Sequence, residues 1–229
     1  DAISLIQTAD GALQVIDEKL IRMKELAEQA ATGTYDSTQR LMIESEYQAM
    51  ASEITRIANQ TNFNKIKLLD GSLSGDHDGS QLKSTGALKI HFGPNNNSAE
   101  DYYYISIGCA TASALGIGNA SEWRHPNCIG YTISTQSAAQ VTLVAMTFAI
   151  VSKDKIRAAL GAMQNRLENT VSNLTIQAEN LQAAEARISD ADVASEMTAF
   201  VRNQILAQAA VSMLAQANSL PRMALNLIG

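Results

Sequence analysis

Residues 160–189 read LGAMQNRLENTVSNLTIQAENLQAAEARIS, and an apolar residue recurs in them at every seventh position. No proline interrupts this stretch, and after Gly161 no glycine does either. A seven-residue repeat keeps a narrow apolar seam on one side of a supercoiled helix. The repeat therefore predicts a long helix that buries its seam against other helices. The residues of this series are Leu160, Leu167, Leu174, Leu181 and Ile188.

A second series near the start of the chain predicts a helix over residues 1–31. Gly33 offers a C-terminal cap to this helix. Asp36 and Gln39 then have the spacing of a capping box, which predicts that the next helix begins there. A connection this short favours an antiparallel or oblique helix pair. The first helix carries the series Ile6, Leu13, Leu20 and Ala27, and the second carries Ile43, Tyr47, Met50, Ile54 and Ile57.

The middle of the chain loses helical periodicity from Asn59 onward. Residues 88–92 and 102–107 have the composition of strands, and a loop rich in glycine, proline and asparagine joins them. A third short strand is predicted near residues 131–133. The predicted fold is mainly α: an elongated antiparallel helical bundle or coiled-coil rod, with a small insert that contains a β-hairpin.

Four segments follow from these changes of pattern. Each is bounded by a loss or return of the helical repeat. The predicted segments are an N-terminal helical part of the rod core at residues 1–70, a variable β-rich insert at 71–140, the C-terminal long helix of the rod core at 141–190 and a C-terminal assembly helix at 191–229.

The final helix is predicted from about residue 191 to residue 219, with Ser189 or Asp190 as its cap and Pro221 as its end. Residues 203–220 carry no charge, but their Gln, Ser and Asn side chains make them unsuited to spanning a membrane. An uncharged apolar surface needs a cover, which favours contact with another molecule. The predicted self-assembly seam consists of Leu160, Leu167, Leu174, Leu181, Ile188, Val193, Met197 and Phe200.

Composition excludes nucleic acid as a partner. The formal net charge is -6, and Lys and Arg are interleaved with Asp and Glu, so no basic surface is left for phosphates. The chain begins at Asp1 without a secretory signal, which indicates a fragment or a processed chain. Cys109 and Cys128 lie in no metal-binding spacing, and a single disulfide and two buried thiols both stay open.

Catalytic chemistry has little support in the sequence. His77, His91 and His125 are scattered, and no serine or cysteine motif places a base beside a nucleophile. No glycine-rich loop opens a helix after a strand, so a nucleotide-binding motif is missing. We therefore expect a protein without catalytic residues, cofactor or metal site, which acts by association.

Several stretches at both ends of the chain resemble bacterial flagellins. They occur in the order that the family has, and together they are far more specific than a shared coiled-coil pattern. In the N-terminal half they are LIRMKELAEQ at 20–29 and EITRIANQTNFN at 53–64; in the C-terminal half they are LGAMQNR at 160–166, ARISDAD at 186–192 and LAQAN at 214–218.

This resemblance implies a structural subunit of the bacterial flagellar filament, secreted and extracellular, which polymerises through its terminal helices and serves motility. The short middle segment implies a compact variant without large outer domains. Flagellins carry a further N-terminal helix that pairs with the C-terminal one, and nothing here corresponds to it. The implied partners are other copies of the chain and a flagellar export chaperone at the C-terminal helix.

The resemblance also implies recognition by a flagellin-sensing Toll-like receptor. Carried over by position, the principal contacts are Arg22 and Leu26, completed by Glu46, with Glu25 and Gln29 beside them. Arg22 and Leu26 stand four apart on one helical face, where they would pair a forked donor with an apolar side chain. This pairing is typical of interface hot spots.

Three alternatives stay open. The junction protein between hook and filament shares the terminal helices of flagellin. A helical signalling or adaptor module also displays heptads, and it would form defined dimers without fibres. A metal-dependent enzyme could use the histidines of the middle segment, and it would bind metal stoichiometrically.

Overall fold

The computed structural model describes residues 1–80, 85–98, 100–117, 132–189 and 192–228. The fold is mainly helical with short antiparallel hairpins, which confirms the predicted class. It divides into two compact units, Asp1–Val171 (unit 1) and Ser172–Gly229 (unit 2). The elements are α1 (Ala2–Ala31), α2 (Ser37–Gln60), β1 (Asn62–Phe63), β2 (Ile66–Lys67), β3 (Leu88–His91), β4 (Tyr102–Ile105), α3 (Gln136–Ser189) and α4 (Val193–Ile228).

Helix α1 supplies the largest share of the core of unit 1. The whole first heptad series is buried, and Leu5, Met23, Leu26 and Ala30 lie on the same face. Each fully buried Leu or Ile contributes on the order of 1.5–3 kcal/mol by leaving water. The helix ends at Thr32, which is extended at φ -73 and ψ 148. Gly33, the next residue, lacks the positive φ of a glycine cap, so the predicted cap at Gly33 is wrong.

Helix α2 begins with the predicted capping box, which the structure confirms. The Asp36 carboxylate accepts hydrogen bonds from backbone N–H groups of the first turn, and the backbone N–H of Asp36 donates to Gln39 Oε1 at 3.0 Å. Arg40 on the second turn donates to the carbonyls of Ala30 and Thr32, each at 3.0 Å. These bonds satisfy carbonyls that the end of α1 leaves without helical partners. The buried residues Tyr47, Ala51, Ile54 and Ala58 form the core face of α2.

Two hairpins follow α2. Strands β1 and β2 are joined by Asn64 and Lys65, which both have positive φ, 48° and 67°, as a tight two-residue turn requires. Strands β3 and β4 confirm the predicted pair, although each is shorter than expected, with Leu88 opposite Ile105. The predicted third strand is wrong for residues 132 and 133, which are irregular; residue 131 lies outside the described residues.

The part of α3 in unit 1 is held to α1 by two ion pairs. Lys153, only 2% exposed, places its Nζ 2.6 Å from Asp17 and 2.7 Å from Asp154. Arg157 donates from Nε and Nη2 to the two carboxylate oxygens of Asp10, at 2.8 and 3.2 Å. A buried charge is tolerated only when it is paired in this way.

Helix α4 differs from its prediction at both ends. Its cap is Asp192, whose carboxylate accepts from the N–H of Ala194 at 3.0 Å. Ser189 belongs to α3, and Asp190 lies outside the described residues. The helix continues through Pro221 to Ile228, although a proline removes one N–H donor from the backbone hydrogen bonds of a helix. The predicted end at Pro221 is therefore wrong.

Candidate assembly surface and the Arg22 cluster

The heptad series of α3 falls into two environments. Leu160 and Leu167, in unit 1, are 2% and 5% exposed and belong to the hydrophobic core. Their predicted place in a self-assembly seam is therefore corrected, because a buried side chain offers no surface to a second molecule. In unit 2, Leu174, Leu181 and Ile188 are exposed by 36%, 71% and 89%.

Unit 2 has no core among its described residues. Every side chain whose burial is known between residues 172 and 223 is exposed or half-buried. The predicted seam residues of α4 follow this pattern, since Val193, Met197 and Phe200 are all more than half exposed. We call the apolar side chains of unit 2 the assembly surface. Its other members on α4 are Val201, Ile205, Leu206, Val211, Met213, Leu214 and Met223.

The assembly surface suits helix packing rather than the binding of a small molecule. Its apolar residues lie on all sides of α4, as in a helix that a larger assembly buries, and alanines such as Ala207 and Ala210 lie among them. Small side chains let a second helix approach closely. Exposed apolar area of this extent marks a surface that a partner covers.

Unit 1 carries an exposed apolar stripe that the sequence analysis missed. It lies on α3, where Val141, Val144, Phe148 and Val151 are exposed by 44%, 55%, 69% and 45%. Their spacing of three, four and three is itself a helical signal. Periodicity alone does not show which of the apolar faces of a helix is turned to solvent.

The predicted receptor residues form an ion-pair cluster around Arg22. Arg22 Nη1 lies 3.0 Å from Glu25 on α1, and Arg22 Nη2 lies 2.9 Å from Glu46 on α2. The hydrogen bonds to Glu46 and then to Glu25 raise the pKa of the Arg22 guanidinium. All three side chains are about half exposed, so the Arg22 cluster presents a fixed arrangement of charges to solvent.

The other two predicted receptor residues have different environments. Leu26 is 1% exposed and packs in the core of unit 1, which corrects its predicted role as an apolar surface contact. Gln29 is half-buried, and its Nε2 donates to the Tyr35 hydroxyl at 2.7 Å. Of the five predicted receptor residues, three therefore offer charged surface: Arg22, Glu25 and Glu46.

The remaining features concern metal ligands, thiols and membrane-spanning helices. Within the described ranges no group of three His, Cys, Asp or Glu side chains is placed to hold a metal. The Cys109 thiol is free and lies 3.2 Å from the Thr111 hydroxyl, whereas Cys128 and His125 lie outside the described residues. Of the helices that are described, none is both long and apolar enough to cross a membrane.

Comparisons with known proteins agree with this geometry. Residues 1–74 match the bacterial flagellin N-terminal helical region, and residues 143–228 match the bacterial flagellin C-terminal helical region. Flagellin FlaB2 of Treponema pallidum is 38% identical over 228 residues, which cover 100% of this chain and 76% of that protein. The flagellar filament 33 kDa core protein of Treponema phagedenis is 37% identical, with the same coverage.

A solved structure supports the same assignment. The crystal structure of Bacillus cereus flagellin has a TM-score of 0.56 to this chain at 28% identity, and the match covers 80% of this chain and 92% of that one. Sequence relatives that span the whole chain and a structure with the same helical arrangement lead to one family. The chain belongs to the bacterial flagellins.

Proposed function

We infer that the chain is a structural subunit of the bacterial flagellar filament and that it polymerises through the assembly surface of unit 2. The observation that carries this inference is the absence of buried side chains in the described part of unit 2. A helical unit that exposes its heptad residues gains stability only when another molecule covers them. The relative from Treponema phagedenis is named a flagellar filament core protein, which supports the filament as that cover.

The filament places the chain outside the cell, as a secreted protein whose role is mechanical. Flagellins are structural proteins, and we assign no catalytic step to this chain. The core of unit 1 gives the subunit a folded body, since Leu160 and Leu167 are satisfied within it. The exposed stripe on α3 around Phe148 offers a further apolar surface for packing between neighbouring subunits.

A charge placed on the assembly surface tests the inference. Leu181→Glu puts a carboxylate in the exposed seam, and Gln182→Glu puts the same charge on the next residue, which is polar, exposed and about 100° further around the helix. Both variants and the parent chain are concentrated in sulfate buffer, which strengthens apolar burial, and are examined by sedimentation and electron microscopy.

Long filaments from the parent chain and from Gln182→Glu, but not from Leu181→Glu, support polymerisation through the assembly surface. Equal polymerisation of both variants contradicts it. A monodisperse dimer of the parent chain indicates the adaptor module, and short capped assemblies indicate the junction protein between hook and filament.

The flagellar export chaperone is the second partner proposed for α4. Before polymerisation the assembly surface is uncovered, and an apolar helix of this kind requires a protein that shields it. We expect Phe200→Glu to weaken the complex with the chaperone, measured by isothermal titration calorimetry. Thr198→Glu, about 200° around α4 from Phe200, is the matched control, and equal losses in both variants would exclude a chaperone contact centred on Phe200.

Recognition by a Toll-like receptor is proposed for the Arg22 cluster. Its support is the fixed, exposed arrangement of Arg22, Glu25 and Glu46, a forked donor flanked by two carboxylates. We expect Arg22→Ala to lower the activation of reporter cells that carry the flagellin-sensing receptor. Arg56→Ala is the matched control, because Arg56 forms an exposed pair with Glu53 three residues away on α2.

Leu26 has no part in this proposal, because its side chain lies in the core. Leu26→Ala is expected to lower the stability of unit 1, so a loss of signalling in that variant would carry no information on contact with the receptor. Equal activation by Arg22→Ala and Arg56→Ala would exclude the Arg22 cluster.

A further inference from the structure

A cleft beside the β3–β4 hairpin combines aromatic and polar side chains that take no part in the packing of the helices. Its volume is 370 Å³. It lies between residues 74–77 and the end of β4, and it does not overlap with the assembly surface or with the Arg22 cluster. The side chains that matter for its chemistry are Ser74, Asp76, His77, Tyr104 and Ser106.

The backbone fixes one wall of this cleft. Asp78 and Thr85 exchange two backbone hydrogen bonds of 2.9 Å, which pairs the segment of Asp76 and His77 with the chain that enters β3. Gly86 has a φ of 75°, and a Cβ there would lie 1.9 Å from the Asp76 carbonyl oxygen. Only glycine permits this approach, so the wall is set by the sequence at that turn.

The ring of Tyr104, which lines the cleft, packs against the ring of His77. His77 donates from Nδ1 to the Ala87 carbonyl oxygen at 2.7 Å, which sets the plane of its ring. The Tyr104 ring packs against it with centroids 5.2 Å apart and a tilt of 40°. Tyr104 is nevertheless 43% exposed, so part of its ring surface stays available to a ligand.

A row of rings continues from the cleft along one face of the hairpin. Tyr102 and Tyr104 stand two apart on β4, which places them on the same face, and their centroids are 5.3 Å apart. His91 on β3 stacks on Tyr102 at 5.8 Å. Lys89 Nζ lies 3.7 Å above the Tyr102 ring and donates to Asn96 Oδ1 at 2.7 Å. The Tyr102 and Tyr104 rings meet edge to face at 75°, and His91 and Lys89 contact the Tyr102 ring, so Tyr104 is the ring that a ligand in the cleft can use.

Polar groups that can serve a ligand lie beside Tyr104. Within the part of the chain that the structure describes, neither the Asp76 carboxylate nor the Ser106 hydroxyl has a hydrogen-bond partner, and both line the cleft. The Ser74 hydroxyl donates to the Gly71 carbonyl oxygen at 2.7 Å and keeps its lone pairs free to accept. Acceptors and donors thus flank an exposed aromatic face.

We propose that this cleft binds a neutral saccharide, with one sugar ring on the exposed face of Tyr104. A pyranose has apolar C–H groups that pack on an aromatic face and equatorial hydroxyls that need donors and acceptors at its edge. Asp76 is suited to accept from those hydroxyls and disfavours an anionic polymer. A small cation would leave the Ser74 and Ser106 hydroxyls beside Tyr104 without a role, whereas a sugar uses them together with the ring.

The test uses the full chain with cellotetraose and chitotetraose as probes, and it measures binding by calorimetry and by saturation-transfer NMR. We expect weak binding, with transfer to the C–H protons of the sugar. Tyr104→Ala is expected to lower the affinity by about tenfold, whereas Tyr104→Phe keeps the ring and the affinity. Asp76→Asn keeps the size of the side chain and is expected to lower the affinity by about threefold.

The control is Phe148→Ala, which removes an exposed ring from α3 that does not line the cleft. Circular dichroism verifies that each variant keeps the helical content of the parent chain. Absence of transfer from both oligosaccharides, or equal loss in Phe148→Ala and Tyr104→Ala, overturns the proposal. Transfer from tetramethylammonium in place of the sugars overturns the saccharide class and indicates a cation site.

Discussion

The leucines of one heptad series are core residues in unit 1 and surface residues in unit 2. Leu160 is 2% exposed and Leu181 is 71% exposed, although both belong to α3 and to the same seven-residue repeat. In unit 1, Leu160 belongs to a hydrophobic core to which α1 contributes its own buried series, Leu13 and Leu20 included. In unit 2 the described residues provide none.

The difference shows what a heptad repeat encodes. It requires that a seam be covered, but it does not state whether the cover is part of the same chain. Where the chain itself supplies the partner, the seam belongs to folding. Where it does not, the same seam belongs to assembly, and its contribution to stability depends on the concentration of a second molecule.

Truncating one leucine of the series in each unit is the most direct test of this difference. We expect Leu160→Ala to lower the free energy of unfolding by about 2–5 kcal/mol, because it leaves a cavity in the core. Leu181→Ala should change it by less than about 0.5 kcal/mol in the dilute chain. Urea unfolding of both variants measures the difference, and equal losses would show that unit 2 is covered within the monomer.

The buried lysine provides a second test of how unit 1 is held together. Asp17→Asn leaves the Lys153 ammonium buried with only Asp154 as a charged partner, and we expect a loss of about 1–3 kcal/mol. Asp154 is 59% exposed, so Asp154→Asn should cost less than about 1 kcal/mol. Thermal unfolding compares the two variants. A larger loss in Asp154→Asn would mean that the solvent-facing partner dominates.

Tyr47 makes the stability of unit 1 depend on pH in the alkaline range. Burial, and next the nearby Glu44 carboxylate, raise the pKa of the Tyr47 hydroxyl well above its ordinary value. The unfolded chain loses this proton near pH 10 and the folded chain keeps it, so the contribution of Tyr47 is complete below pH 10 and declines as the pH rises further. We expect an extra decline of about 1.4 kcal/mol per pH unit above pH 10.

Tyr47→Phe removes the titrating hydroxyl and should flatten this decline, whatever its effect on absolute stability. The measurement is the slope of unfolding free energy against pH in the two proteins. Equal slopes would show that Tyr47 is ionised as readily in the folded chain as in the unfolded one.

The helix caps give the smallest expected effect. Asp36→Ala removes the capping box of α2 in unit 1 and should lower the free energy of unfolding by about 1 kcal/mol. Asp192→Ala removes the cap of α4 and should reduce helical content by circular dichroism, with no change in the unfolding of unit 1. A shift of the main transition by Asp192→Ala would show that the two units unfold together.

Local sequence signals predicted most of the elements. The heptads located α1 and α3, and the Asp36 and Gln39 pair located the start of α2. Strand-type composition on both sides of a glycine-, proline- and asparagine-rich loop located β3 and β4. The β1–β2 hairpin was not predicted, because strands of two residues are too short to show a period. The Asp192 cap was not predicted, since Ser189 and Asp190 satisfy the same capping rule. The continuation of α4 through Pro221 was not predicted either, since a proline usually ends a helix.

The candidate sites were less predictable than the helices. The resemblance to flagellins brought Arg22, Glu25 and Glu46 together before any geometry was known, and the structure shows them in contact. Leu26 shares a face with Met23 and Ala30, so the helical period already pointed to burial, but a four-residue spacing from Arg22 suggested a surface. The cleft at Tyr104 joins residues from three segments, which no local pattern reveals.

By itself, the sequence determined that this protein is helical at both ends, that each end carries an apolar seam and that its family is that of the flagellins. Local periodicity and capping depend on neighbours within a few residues, so the chain states them directly. Only the tertiary structure decided which half of the α3 seam is core and which is surface. That outcome depends on which apolar face lies opposite, and burial is a property of two surfaces in contact.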